Sequence, residues 1–156
     1  MFHTRAHPIG SPTGMLAQMF TVEKGRRLRT VPASTPSTGY DVEIHGPNGF
    51  YRRAAGSDTA APEVSTAPGG SRKSLTIVVN NAGRAVGLTF TDHYRDGPPT
   101  TRRVRQGGRI IHTVGGDTNG WYDVTITSSA DSRFIRRLAG HVESGRPSTS
   151  DPALGA

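Results

Sequence analysis

Through much of the chain's second half, every second residue is apolar. Leu75, Ile77 and Val79 form one stripe, and Val86, Leu88 and Phe90 the next. Ile110, His112 and Val114 follow, then Tyr122, Val124 and Ile126. A period of two puts each set on a single face of a β-strand. Phe134, Arg136 and Leu138 share one face of a closing strand. "NNAGR" predicts a turn, with Gly83 able to take a positive φ, and "HGPNGF" places Asn48-Gly49 at a tight hairpin turn. Trp121 or Tyr122, directly after "DTNG", is expected to pack the core at the start of a strand. No stretch carries a sustained helical stripe. Strands broken by turns about every eight to twelve residues predict an all-β fold, an antiparallel β-sandwich of the Ig-like kind.

The same lettering occurs twice. "YDVEIHGPNGFYRRAAG" begins at Tyr40 and "WYDVTITSSADSRFIRRLAG" at Trp121. The offset is 82 residues from Tyr40 to Tyr122 and 84 from Phe50 to Phe134. Upstream, Val22, Gly25 and Leu28 stand 82 residues before Val104, Gly107 and Ile110. Internal repeats define the unit of folding. Ahead of Val104 the second copy has further strands, whose counterparts in the first would precede Met1. The expected organisation is one complete repeat preceded by a truncated one. Residues 1–19 are an atypical leader without regular structure. Residues 20–56 are the rear half of a first β repeat, with strands around Thr21–Val31, Tyr40–His45 and Phe50–Ala54. Residues 57–73 form a linker and an entry strand, 62–142 the complete second repeat, and 143–156 a C-terminal tail.

The repeat also recurs in charge. Arg52-Arg53 in the first copy matches Arg136-Arg137 in the second, and Asp41 matches Asp123. On a strand, one arginine of each pair faces solvent and the other faces the core or sheet rim. An inward arginine needs an acidic or carbonyl partner, and the repeated aspartates are the obvious ones. These six residues form the candidate structural site. Asp123→Ala is then expected to destabilise the fold and Asp131→Ala, in the adjoining loop, to leave it unchanged.

Composition narrows the chemistry. The chain of 156 residues suits one domain, or one domain plus a piece of another, and 20 glycines with 11 prolines favour short strands and frequent turns. No run of about 18 apolar residues exists to span a bilayer, and "MFHTRAHPIGSPTG" shows no apolar core of an export signal. Without cysteine there are neither disulfides nor thiolate chemistry. The net charge of +7 is almost wholly arginine, with Lys24 and Lys73 the only lysines. Arginine standing in for lysine accounts for that charge without a partner; an anionic partner is the other reading. His-Glu-x-x-His, Gly-x-Ser-x-Gly and phosphate-loop patterns are all absent. In "TDHYRD", Asp92 and His93 are adjacent and point oppositely on a strand, so with Asp96 they read as a strand-end turn rather than a metal site. His112 lies on a core-facing stripe; His45 and His141 are expected at the surface.

"YDVEIHGPNGFYRR", "LTIVVNNAGRAVGLTFTDHYR" and the tail "AGHVESGRPSTSDPALG" resemble the C-terminal region of bacterial phospholipase C enzymes of the phosphocholine-specific, acid-phosphatase-related type. Those enzymes carry two tandem small β domains after a large catalytic domain. The resemblance runs from about Phe20 to Leu154, and the first 19 residues depart from it. It implies that the metal-binding and phosphoryl-transfer residues belong to the catalytic domain. Catalytic, cofactor and metal residues are therefore expected to be none in this chain. It implies an accessory module that supports the phospholipase C catalytic domain or contacts a phospholipid surface, in an extracellular or periplasmic setting, although no export signal stands in the chain. The alternative is a free-standing basic β-sandwich that binds nucleic acid or another anionic polymer. Sheets that read single strands interleave aromatics with arginines, whereas here the aromatics fall at strand starts and on apolar faces, so nucleic acid is not the expected partner.

Overall fold

The computed structural model describes residues 1–6, 16–23, 39–57, 62–145 and 147–155. Eleven strands lie within them: β1 (Phe2–Ala6), β2 (Leu16–Phe20), β3 (Tyr40–His45), β4 (Tyr51–Gly56), β5 (Glu63–Pro68), β6 (Leu75–Asn81), β7 (Val86–Asp92), β8 (Thr100–Val104), β9 (Gly108–Val114), β10 (Trp121–Ser128) and β11 (Ile135–His141). They form two antiparallel sheets, ordered β2-β1-β3-β4-β11-β10-β7-β8 and β5-β6-β9. The predicted all-β sandwich is what the chain adopts. Most of the expected Thr21–Val31 strand falls outside the described residues.

The period-two stripes become the buried faces. Ile77 and Val79 of β6 face the larger sheet, where Leu88, Val124 and Ile126 are wholly enclosed. Phe134, 1% exposed, caps the cluster just before β11. Burying each such side chain contributes about 1.5–3 kcal/mol, so the location of the core decides where stability resides. Among the described residues, every buried apolar side chain but Ala55 and Pro62 lies between Ile77 and Leu138. The first repeat is therefore held chiefly by strand pairing and polar contacts, through β4 on β11.

That docking leaves β3 in need of a neighbour. An unpaired strand edge presents a row of free N–H and C=O groups that recruits any extended segment. The leader supplies one. β1 pairs with β3, setting Thr4 opposite Ile44 and Ala6 opposite Val42, and β2 pairs with β1. Phe2 meets the Phe50 ring edge-on at 5.6 Å. The expectation of an unstructured leader over residues 1–19 is thus overturned for its described part. Its apolar-polar alternation is short and weak, and the edge it completes belongs to a distant part of the sequence.

Turn chemistry holds in one place and changes in another. Asn48 and Gly49 both have positive φ, at 55° and 69°, which is the type I′ hairpin predicted for them. Gly83, by contrast, is absent from the positive-φ glycines. The buried Asn81 shapes that turn instead: its Oδ1 accepts the Gly83 N–H at 3.1 Å. Its Nδ2 donates to the carbonyls of Arg84 at 2.8 Å, Arg105 at 3.2 Å and Val104 at 3.4 Å. One side chain so ties the β6–β7 turn to the β8–β9 turn. Removing it strands several buried carbonyls, each worth about 1–3 kcal/mol when unsatisfied. Asn81→Ala is expected to lower unfolding free energy in urea by about 2–3 kcal/mol, while exposed Asn80→Ala shifts it by under about 0.5 kcal/mol.

Candidate functional site

β4 and β11 carry the two Arg-Arg pairs, and their register sets Arg53 directly opposite Arg137. Like charges so placed repel. The flanking strands answer with one carboxylate each. From β3, Asp41 accepts from Arg53 Nε at 3.0 Å and Nη2 at 2.7 Å. From β10, Asp123 accepts from Arg137 Nε at 2.9 Å and Nη2 at 2.7 Å. Both are two-pronged forks, and in each the hydrogen-bonded carboxylate raises the guanidinium above its ordinary pKa. Tyr51 stands beside them, donating to Glu43 Oε1 at 2.9 Å with the Arg137 guanidinium 5.6 Å over its ring. Burial first, then Glu43, push its hydroxyl up to about 12.

The first arginine of each pair lies on the opposite face, toward the sandwich. Arg52 Nη1 donates to the Tyr51 and Ala139 carbonyls, each at 2.8 Å, and Nη2 to the Tyr122 hydroxyl at 2.8 Å. Arg136 mirrors it: Nη1 donates to the Ala55 carbonyl at 2.6 Å and the Ile135 carbonyl at 2.9 Å, and Nη2 to the Tyr40 hydroxyl. Each guanidinium also lies over the phenylalanine of its own repeat, Arg52 at 4.4 Å from Phe50 and Arg136 at 4.3 Å from Phe134. Each of these two arginines thus reaches across to the tyrosine of the other repeat. The inward arginines take carbonyls and tyrosines; the aspartates go to the outward ones. The expected pairing of the aspartates with the inward arginines is overturned, because backbone carbonyls and a tyrosine hydroxyl already satisfy Arg52 and Arg136, and the carboxylates lie on the outer face with Arg53 and Arg137.

The glycine that ends each copy has a reason of the same kind. Gly140, with φ 149°, pairs with Tyr122, and a Cβ there would stand 2.9 Å from the Tyr122 hydroxyl. Gly56 pairs with Tyr40, and its Cβ would stand 3.2 Å from that hydroxyl. Both glycines make room for the tyrosine that the crossing arginine binds.

Asp131 is no spectator. Its Oδ2 accepts the Ser57 backbone N–H at 2.8 Å, and its Oδ1 accepts the Ser57 hydroxyl at 3.2 Å and the Arg133 N–H at 3.0 Å. The Ser57 N–H above all holds this carboxyl below the ordinary carboxylate range. A loop of the second repeat so grips the strand end of the first, which no spacing in the sequence announces.

Other polar groups turn inward to structural duties. Asp92 Oδ1 accepts the Tyr94 N–H at 3.1 Å while His93 Nε2 meets Thr125 Oγ1 at 2.8 Å, so the two side chains diverge as predicted for a turn. Among the described residues no three His, Cys, Asp or Glu side chains converge as a metal site. His112 packs on Phe90 at 4.8 Å beside a cleft of about 250 Å³, and burial, then Arg102, lowers its pKa. His45 rests on Tyr51 with ring centroids 4.9 Å apart.

His141 was expected at the surface, yet its side chain is only 5% exposed. The C-terminal tail covers it: Trp121 Nε1 donates to the Thr149 carbonyl at 3.0 Å, and Tyr94 to Asp151 Oδ1 at 2.7 Å. His141 Nε2 lies 2.7 Å from Ser148 Oγ and Nδ1 3.5 Å from Glu143 Oε1, the outline of a nucleophile, base and acid. The hydrogen-bond pattern speaks against that role. Nε2 also lies 3.2 Å from the Asn119 carbonyl, and Ser148 Oγ donates to the Thr149 carbonyl at 3.2 Å, so both atoms are engaged with the backbone. The trio latches the tail. Beside it opens a cleft of about 670 Å³ between Tyr122, His141 and the β5–β6 turn, where Ser74 Oγ is bonded to Ser71.

Fold and seam define a class: a two-sheet antiparallel β module in which the paired arginines, aspartates and tyrosines of two sequence copies join along one seam. The chain matches the family described as "Bacterial phospholipase C, C-terminal domain" over residues 3–57 and 59–141. It is 38% identical over 144 residues to a non-hemolytic phospholipase C of Burkholderia pseudomallei, covering 86% of this chain and 21% of that protein. Against a hemolytic phospholipase C of Pseudomonas aeruginosa it is 38% identical over 127 residues, covering 74% and 17%. A non-hemolytic phospholipase C of the same organism is 34% identical over 148 residues, covering 87% and 21%. The chain belongs to the bacterial phospholipase C C-terminal domain family and spans about a fifth of the length of these relatives.

Two outcomes follow from the seam. Arg136→Met keeps the length but removes the hydrogen bonds to Ala55 and Tyr40; hydrogen bonds to a charged group contribute about 1.5–3 kcal/mol, so chemical denaturation is expected to show a loss of about 2 kcal/mol, against under about 0.5 kcal/mol for exposed Arg105→Met. The Asp131 carboxyl titrates lower folded than unfolded, so its contribution is complete above the ordinary carboxylate range and is lost as pH falls through and below that range. Asp131→Asn is therefore expected to be less stable than the parent near pH 7, with the gap in urea melts narrowing as pH falls below the ordinary carboxylate range.

Proposed function

We propose that the chain is a non-catalytic accessory module of a phospholipase C, working beside the catalytic portion of that enzyme. The observation that carries this reading is the match to the C-terminal domain alone, about a fifth of each relative. The use of the site residues supports it: Asp41, Arg52, Arg53, Asp123, Arg136 and Arg137 all work on one another or on the backbone of the seam. On this reading the six are structural. Residues 62–142 are the unit that folds first, with 20–56 added to its edge; the placing of the core favours that division. The setting proposed is outside the cytoplasm, where a phospholipase C meets its lipid.

The test separates module from enzyme. The purified chain is expected to leave a chromogenic phosphocholine ester unhydrolysed, with or without divalent metal. Added in trans to the separately expressed catalytic region of a phospholipase C relative, in lipid-free buffer, it is expected to raise that region's melting temperature and to co-elute with it. Hydrolysis abolished by His141→Ala, or no effect on the catalytic region, would overturn the reading.

A further inference from the structure

Five arginines meet at the corner of the sandwich where β7, β8 and β9 turn. Arg102 and Arg103 lie on β8, an edge strand that pairs with β7 alone. Arg105 sits in the β8–β9 turn, Arg109 near the start of β9 and Arg84 in the β6–β7 turn, and all five are exposed. Their spacing is fixed by the interior. Asn81, 2% exposed, binds the carbonyls of both Arg84 and Arg105, and its own carbonyl accepts the Gly107 N–H at 2.7 Å. Arg102 closes the sandwich edge by donating to the Ile111 carbonyl of the other sheet at 3.0 Å.

Among the described residues no carboxylate neutralises this corner. Arg53, Arg95 and Arg137 each hold a carboxylate, whereas among the described residues none of the five does. Glu63 is the near acid by register, opposite Asn80, which in turn stands opposite Arg109, two strands away. Like charges fixed together repel, and the arrangement suits an anionic surface. Beside them Ile111, 54% exposed, stands on the outer face of the small sheet opposite Val78. The rings near the corner are turned inward: Phe90 is 3% exposed and His112 lies against it. Nucleic-acid strands stack on exposed aromatics, and here there is no such platform. An apolar side chain flanked by guanidiniums matches a bilayer surface, where arginines hold phosphates and the apolar group enters the acyl boundary.

We propose that the β8–β9 corner docks on anionic phospholipid headgroups, with Arg105 and Arg109 contacting phosphates and Ile111 entering the apolar boundary. This rests on reading the chain as a phospholipase C module and names the surface it meets. Charged edge strands also ward off edge-to-edge pairing, a role that by itself gives no lipid binding. The experiment uses the full chain with sedimented vesicles of phosphatidylcholine containing phosphatidylglycerol, compared with phosphatidylcholine alone. Binding is expected to the anionic vesicles only and to weaken as salt is raised. Arg105→Glu/Arg109→Glu is expected to weaken it by roughly thirty-fold or more, since each basic residue near such a surface counts for about fivefold. Arg5→Glu/Arg72→Glu changes net charge equally and is expected to leave most of the binding in place. Melting curves check that both variants fold. Equal losses in the two variants would show that net charge alone binds, and no binding to either vesicle would leave edge protection as the role; both overturn the proposal. So would a single-stranded oligonucleotide binding through Arg105 and Arg109 more tightly than the vesicles do. Vesicle binding lost while the lipid-free effect on the catalytic region persists overturns this inference alone; the converse overturns only the accessory reading.

Discussion

A guanidinium turned toward a protein interior must find acceptors for its N–H groups, because a half-satisfied buried charge costs more than the packing around it returns. At the β4–β11 seam two arginines face that demand from related positions in two copies of one sequence. Each solves it with the other copy. Arg52 takes a carbonyl and the tyrosine of the second repeat, and Arg136 takes a carbonyl and the tyrosine of the first. The pseudo-twofold arrangement explains why Tyr, Asp, Phe, Arg-Arg and Gly recur together. Tyrosine is the acceptor, phenylalanine the platform, the first arginine the crossing clamp, the second the fork on aspartate, and glycine the space for the hydroxyl.

The seam matters because the first repeat has little else. Its described residues add only Ala55 to the buried apolar set, so the hydrophobic contribution sits almost wholly in the second repeat. Hydrogen-bonded pairing with β11, the crossed arginines and the Asp131–Ser57 grip join it to that core. With β3 thereby positioned, β1 and β2 complete the sheet outward. On the other side of the same sheet the tail crosses β10 and β11, anchored at Trp121, His141 and Tyr94.

Much of this was legible. The stripes from Leu75 to Ile126 encode burial directly, because a sandwich core needs one apolar face per strand. The repeated Arg-Arg and Asp were visible as a pair in need of each other, and Asn48-Gly49 as a hairpin. What stayed hidden depends on contacts distant in sequence. The leader's strands exist because β3 offers an edge, not because "FHTRA" and "LAQMF" are strong strand formers. His141 looked exposed because the tail that covers it has no periodicity. Asp131 looked idle because its partner is a backbone N–H more than seventy residues away, at Ser57. Gly83 looked like the turn-maker, while the Asn81 side chain does that work from inside the core.

Membership of the phospholipase C C-terminal domain family gives the module its setting, and the crossed arginines give it its unity. Native-state hydrogen exchange tests that unity most directly. The account predicts that the β4 amides bonded to β11 open with the same free energy as those of β11 itself, and that Arg52→Lys with Arg136→Lys releases β3 and β4 while the amides of β7 and β10 stay protected. Fast exchange across β3 and β4 in the parent protein, unchanged by those substitutions, would contradict it.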